Sequence, residues 1–370
     1  MEYEKDGYTW NQKRNVYFLI KNNMKYGRHQ IDKAGETILS SKDSNEVSTA
    51  IDKVNDWRTL HLTALDALQN TLIPLLRKKK VSIDFTSRRL KRLTSILYKL
   101  DINPKMKLGG MQDIGGLRVV VPTVDALNRA LDVLKETKPE GFELVKIMNY
   151  IDTPKTSGYR SFHFIYKFIS DSNDTNGMKV ELQVRTRLQH NWAMAVETAG
   201  LITSTPLKSS QGADEWLFFF KIVSSLFAIK ERLPILSEHV ANGYEMKDLM
   251  KILYNMNKVH NHGDTLKALR VSNIQAQKEN YRNGYYILNI NFKQKMVNVT
   301  SFPRENEEEA TMMYSELEKQ ALDNINAVVL VSVPKMKELQ EAYPSYFLNT
   351  TEFLQDLDKI IENCQKLHWV

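Results

Sequence analysis

Gln112-Asp-Ile-Gly-Gly-Leu-Arg118-Val-Val-Val121 runs a carboxylate and a Gly-Gly turn into a short apolar strand that carries an arginine. Ser161–Phe168 alternates Phe162, Phe164, Tyr166 and Phe168 against Ser161, His163 and Lys167, and Val180–Thr186 alternates again. An alternation of period two marks strands. Helical patterns separate them between Val81 and Arg185, so this region reads as an α/β or α+β sheet domain. On the last strand Glu181, Gln183 and Arg185 share one face, and Val180, Leu182 and Val184 share the core face. Buried strands seldom carry arginine unless it is paired or faces a ligand, which singles out Arg118.

Outward from this centre, residues 1 to about 80 read as helical. Trp57, Leu60, Leu65, Leu68, Leu72 and Leu76 recur at helical spacing. Arg77-Lys78-Lys79-Lys80 closes the region, where cations favour a helix C-terminus. Residues 188–260 read as helical, with Trp216–Phe220 on a buried helix. Beyond Asn283-Gly284 a second sheet pattern begins: Tyr286–Phe292 and Met296–Ser301 as a hairpin, Glu305–Gln320 as a helix and Ala327–Val333 as a strand stopped by Pro334. A last helix covers Thr351 to Leu367. The expected division is 1–262 and 263–370.

Apolar residues make up 42% and charged residues 26% of the 370, which excludes a disordered or collagen-like chain. A single cysteine, Cys364, excludes a disulfide framework and a Cys-rich zinc site. No apolar run reaches a membrane span and the first residues are polar, so a cytoplasmic protein with no membrane partner is expected. The net charge of +7 is unevenly divided: residues 261–370 hold 12 Lys/Arg against 15 Asp/Glu, which leaves 39 against 29 for residues 1–260. A basic body suits a polyanionic partner, and an acidic tail suits covering it.

Three segments place charges with element geometry. If Arg89 to Lys99 is helical, Lys91, Ser95 and Lys99 lie on one stripe and suit a polyphosphate. Asp113 with Arg118, and Glu181 with Gln183 and Arg185, add two carboxylates from separate strands. Oxygen ligands without a cysteine or histidine cluster suit Mg²⁺ holding a nucleoside triphosphate better than zinc. Neither a Walker sequence nor G-x-G-x-x-G is present, so P-loop and Rossmann readings fail.

Arg89-x-Lys91-x3-Ser95-Ile96-x2-Lys99, Gln112-Asp113-Ile-Gly-Gly-Leu-Arg118, Pro154-Lys155-x2-Gly158-Tyr159-Arg160-Ser161-Phe162-His163 and Glu181-Leu-Gln183-Val-Arg185-Thr186 together resemble the RelA/SpoT-type alarmone synthetases. Lys33-Ala34-Gly35 and Asn55-Asp56-Trp57-Arg58-x2-His61 resemble the N-terminal helices of the small members. The resemblance covers residues 30–200. It implies an α+β fold, a mixed-sheet, nucleotidyltransferase-like synthetase domain flanked by helices, that moves pyrophosphate from ATP to a ribose 3′-hydroxyl. By similarity Arg89 and Arg118 sandwich adenine, and Lys91, Ser95 and Lys99 hold the ATP phosphates. Asp113 and Glu181 bind Mg²⁺, with Glu181 near the attacking hydroxyl. Tyr159 stacks on the acceptor base, with Lys155, His163, Gln183 and Arg185 around the acceptor.

Two departures concern the acceptor. Met148-Asn149-Tyr150-Ile151 stands where alarmone makers have Lys-Asp-Tyr-Ile, and Ser157 replaces an Asn able to hydrogen-bond guanine. The toxic small synthetases, some of which pyrophosphorylate the 3′-CCA end of tRNA, are the closer pattern, with GDP or GTP as the alternative acceptor. The extra positive charge fits RNA phosphates, with no DNA partner implied. Arg77, Lys78, Lys79, Lys80, Arg28 and Lys25 are candidate tRNA contacts, within a run that also holds Lys13, Arg14 and Lys21. The tail, Glu341-Ala-Tyr343-Pro344-Ser-Tyr346-Phe347 included, resembles the CapRel-type fused toxin–antitoxins. That implies a zinc-free pseudo-zinc-finger domain whose Tyr343 and Tyr346 block the ATP site until a phage protein triggers release.

Overall fold

The computed structural model describes residues 2–5, 8–11, 16–19, 26–202, 214–260, 262–267, 273–276, 281, 284–291, 294, 296–321, 326–333, 338–347 and 349–369. Lys13, Arg14, Lys21, Lys25, Asn283, Phe292 and Pro334, all singled out above, lie outside the described residues.

Strands β1 (Glu2–Lys5), β2 (Tyr8–Asn11) and β3 (Val16–Leu19) form a small antiparallel sheet. This corrects the helical reading of the first residues. Tyr3, Tyr8, Trp10, Val16, Tyr17 and Phe18 are aromatic or β-branched and favour extended backbone. Helices begin at α1 (Arg28–Ser40) and α2 (Ser44–Lys78). Asp43 starts α2 by accepting from the Asn45 and Glu46 amides, and Leu65, Leu68, Leu72 and Leu76 turn fully inward.

The central region follows as β4 (Phe85–Leu90), α3 (Leu93–Asp101), β5 (Gly115–Val121), α4 (Val124–Glu136), β6 (Phe142–Asn149), β7 (Phe162–Phe168) and β8 (Lys179–Thr186). Arg89 and Lys91 were expected on the helix of Ser95 and Lys99. Instead Arg89 ends β4, and the Lys91 amide bonds to the Ile114 carbonyl at 2.8 Å, which keeps the chain extended until α3 begins at Leu93. Strand β6 shows no alternation because almost all of it is exposed; its sequence gave no strand signal.

Helices α5 (Arg187–Ile202), α6 (Asp214–Glu231), α7 (Ser237–Ala241), α8 (Met246–His260) and α9 (His262–Lys267) come next. The rest is β9 (Asn273–Ala276), β10 (Tyr285–Asn291), β11 (Met296–Phe302), α10 (Glu307–Gln320), β12 (Asn326–Ser332), α11 (Leu339–Ala342) and α12 (Thr351–Lys366). Among the described residues no helix is long and apolar enough to cross a membrane.

Among the described residues, nine strands form one mixed sheet in the order β6-β7-β8-β5-β4-β12-β10-β11-β9. Strands β5 and β8 are parallel, with Gly116 opposite Glu181 and Arg118 opposite Gln183. Strand β12 pairs antiparallel with β4, Val331 opposite Arg89, so the sheet passes without a break from the central region into the C-terminal one. Its two faces are covered differently. Leu68 and Leu72 of α2, Leu117 and Leu182 of the central strands, and Ile287, Tyr314 and Leu330 of the C-terminal region share one core. Phe85, Val120, Val331, Tyr343 and Tyr346 pack on the other face.

A core shared in this way predicts one cooperative unfolding transition for the full chain. Leu330→Ala, which empties space inside that core, lowers the whole transition by about 2–5 kcal/mol. Two separate calorimetric transitions, only one of them shifted, would contradict the shared core.

Candidate active site

The register of the sheet gathers the charged residues at the Gly115 end of β5. Opposite Gly116 stand Arg89 on β4 and Glu181 on β8, and opposite Arg118 stand Ser87 and Gln183. A cavity of about 70 Å³ is lined by Ser87, Arg89, Lys91, Asp113, Arg118, Glu181, Gln183 and Tyr343, among others. Gly116 lets the backbone line that cavity without a side chain.

Asp113 receives the Lys91 ammonium at 3.1 Å and the Lys99 ammonium at 3.0 Å. Burial opposes ionisation of this carboxyl, but the two ammonium groups outweigh it and hold it down at about 2. Ser95 lies one turn before Lys99 on α3 and is half-buried. Glu181 is fixed from two strands: His163 Nδ1 lies 2.8 Å from one carboxylate oxygen, and the Gln183 amide donates to the other at 2.6 Å. Burial raises its pKa and Asp113 adds repulsion, yet the imidazole and the Gln183 bond leave it below the ordinary carboxylate value. His163 Nε2 meets the Tyr159 hydroxyl at 3.0 Å. Burial works against the imidazolium, while Tyr159 and Glu181 raise it to about 9. Lys155 stands over the Tyr159 ring, 5.3 Å from its centroid. Gly158 turns this loop at φ +91°, and a Cβ there would lie 2.8 Å from Ser224 Cβ.

Arg89 and Arg118 are both covered by tyrosines of the C-terminal region. The Arg89 guanidinium donates to the Tyr346 hydroxyl oxygen, and Arg92 stands over the Tyr346 ring at 5.8 Å. Arg118 lies 5.9 Å from the Tyr343 ring centroid and donates to the Ala342 carbonyl at 3.2 Å. The two rings stack 5.9 Å apart with a 14° tilt, and the Tyr343 hydroxyl donates to the Arg88 carbonyl at 2.7 Å. Burial and repulsion from Arg89 both lower the Arg118 pKa, whereas Tyr346 and Glu197 overcome burial and raise that of Arg89.

Arg185 does not line the cavity. It is buried and donates to His190 Nδ1 at 2.7 Å, which leaves the His190 proton on Nε2, donated to the Glu341 carbonyl at 3.1 Å. Arg77, Lys78, Lys79 and Lys80 are exposed and precede β4, at the end opposite Arg89, which lies roughly 13 Å along the strand from Phe85. Arg28 donates to the Gly177 carbonyl at 3.2 Å. Sequence reading missed Ser87, Glu197 and His190. Only the register of β4 and the path of α5 bring them to the site.

Comparison with known proteins finds matches over part of the chain. Residues 88–200 match the region found in RelA / SpoT proteins. GTP pyrophosphokinase YwaC of Bacillus subtilis strain 168 is 29% identical over 169 residues, covering 42% of this chain and 78% of that protein. GTP pyrophosphokinase YjbM of the same organism is 33% identical over 114 residues, covering 30% of this chain and 53% of that protein. The crystal structure of small alarmone synthetase 2 from Bacillus subtilis superposes with a TM-score of 0.41 and 24% identity, over 47% of this chain and 92% of that one.

The Asp113 ion pairs set a pH dependence. A carboxyl lowered in the fold stabilises it fully above its unfolded value of roughly 3.9, and that stability is lost as pH falls toward the folded value. Asp113→Asn should therefore lose less stability than the parent between pH 4 and about 2 in denaturant titrations. Equal losses in both proteins would show that the lysines do not hold this carboxylate.

Proposed function

We propose that this chain is an ATP-dependent pyrophosphokinase of RelA/SpoT type whose donor site is closed by its own C-terminal region, and whose acceptor is the 3′-hydroxyl of the tRNA CCA end. Residues 1–262 form the synthetase and 263–370 a zinc-free regulatory module of the pseudo-zinc-finger kind. One observation carries the reading: Tyr343 and Tyr346 are stacked at Arg118 and Arg89, beside the cavity that holds Lys91, Asp113 and Glu181. Two π faces occupy the place where two guanidinium planes would take a purine.

In the open chain the ATP adenine lies between Arg89 and Arg118, and Lys91, Ser95 and Lys99 take its phosphates. The residues fit Mg²⁺. Asp113 and Glu181 line one cavity and feel each other's charge, and Mg²⁺ needs only one or two protein carboxylates beside phosphate oxygens. When bound, it supplies charge neutralisation on the transferring phosphates. Tyr159 stacks on the acceptor base, with Lys155 beside it, and aligns the 3′-hydroxyl with the β-phosphorus. The hydroxyl oxygen forms the new bond to that phosphorus, the bond from it to the α-phosphate oxygen breaks, and AMP leaves. Glu181, held by His163 and Gln183, is the carboxylate placed to take the hydroxyl proton.

The acceptor assignment is supported by the loop itself. Ser157 is buried with its hydroxyl turned to no partner, so no side chain at this position reads guanine. The basic excess of residues 1–260 adds to it. A second reading, GDP or GTP as acceptor, is favoured by the names of the relatives YwaC and YjbM. The resemblance to fused toxin–antitoxins extends the main reading to antiphage defence in the cytoplasm, with a phage protein that binds the module as the trigger.

The test uses the full chain with Tyr343→Ala and Tyr346→Ala. Supplied with ATP labelled on the β-phosphate, it should label tRNA at least about tenfold faster than the unaltered chain, and adding Tyr159→Ala should abolish transfer. Label on GDP or GTP and none on tRNA would replace the main reading by the second. In cells, the doubly substituted chain should stop growth while the unaltered chain does not.

A further inference from the structure

The module touches the donor site from both faces of the sheet. The tyrosines lie on one face, and on the other α10 brings Glu318 against the chain just before α3. One Glu318 oxygen accepts from the Leu93 amide at 2.9 Å and from the Tyr314 hydroxyl at 2.7 Å. The other oxygen pairs with Arg58 of α2 at 2.5 Å, and both side chains are almost wholly buried. Arg58 donates onward to the Lys91 carbonyl at 2.6 Å and to Asn55. Lys91 in turn reaches Asp113. A continuous line of hydrogen bonds thus joins a carboxylate of the module to the backbone of a phosphate-binding lysine and to the first amide of the helix that carries Ser95 and Lys99.

The arrangement exceeds what holding two domains together needs. Surface ion pairs already do that at the same seam, Lys319 with Asp52 and Arg304 with Asp66. Glu318 instead satisfies an amide that the first turn of α3 leaves without a helical partner, and it supplies the counter-charge of a buried arginine. Without it Arg58 keeps its bond to Lys91 but loses the anion that fixes its position.

Resting on the function proposed above, we propose that Glu318 is a positioning residue for the donor site. The module braces the phosphate-binding helix from one face while its tyrosines block the site from the other. Release therefore moves the segment around Tyr343 and Tyr346, and α10 stays docked on α2 during turnover.

The experiment adds Glu318→Ala, Glu318→Gln or Lys319→Ala to the full chain bearing Tyr343→Ala and Tyr346→Ala. Two quantities are read: KM for ATP against kcat, and amide hydrogen exchange at residues 93–101 without nucleotide. Glu318→Ala should raise KM for ATP about tenfold with kcat within about twofold, and speed exchange at the start of α3. Glu318→Gln, which keeps an acceptor for the Leu93 amide, should recover most of both, and Lys319→Ala should change neither. If Glu318→Ala does not fold, the Glu318→Gln protein decides, since loss of the ion pair alone should still raise KM and exchange measurably above the parent. Unchanged exchange and KM in Glu318→Ala, or in Glu318→Gln where Glu318→Ala does not fold, overturn the proposal. So does activation by Glu318→Ala when both tyrosines are intact, which would make this contact a lock rather than a brace. Hydrogen exchange needs no transfer reaction, so it tests the brace even if the acceptor assignment fails.

Discussion

Two guanidinium groups held on adjacent strands are the constraint around which this protein is arranged. Arg89 and Arg118 lie on paired strands and repel each other, and Arg185, opposite Val120, is a third buried charge near enough to feel both. The Nε atoms of Arg118 and Arg185 have no hydrogen-bond partner. Like charges in a poorly solvated place are costly without an anion or a π face beside them. In the closed chain Tyr343, Tyr346 and Glu197 fill that role. On the function proposed above, a purine would meet the same need once the tyrosines leave.

The tyrosines can answer it because the sheet does not stop at β4. Strand β12 continues the ladder, which fixes where the chain emerges and brings α11 and the following turn over the arginine face. On the opposite face α10 packs against α2 in the same core as the central strands. The C-terminal region is therefore not an appendage reaching across a gap. It grips one strand from both sides, and that strand carries Arg88 and Arg89.

Much of this was legible locally. Alternation marked β7 and β8, the hairpin β10–β11 and β12, and carboxylates or arginines inside apolar strands marked Asp113, Arg118 and Glu181 before any register was known. The misreadings have physical causes. The spacing of Lys91, Ser95 and Lys99 fits a helix, but a hydrogen bond to Ile114, distant in sequence, keeps Lys91 extended. The aromatic run before residue 20 was read as helix although such residues favour strands. Strand β6 is exposed on both faces, so burial never imprinted a pattern on it. The resemblance places Arg185 among the acceptor contacts, and in the fold its guanidinium bonds to His190 on the next helix, a partner that strand periodicity does not reveal.

The sequence by itself determined most of the elements and the charges they carry: which segments alternate, and which strands and turns hold carboxylates and arginines. Periodicity and unusual burial of charge are local signals, and they survive in a linear text. The meeting of residues 343 and 346 with 118 and 89 was expected from the resemblance alone, and the tertiary structure gives it its geometry; only the tertiary structure decided that Glu318 meets Arg58 across 260 positions. Those contacts depend on strand order and on the two faces of one sheet. Neither leaves a mark within the reach of a single element.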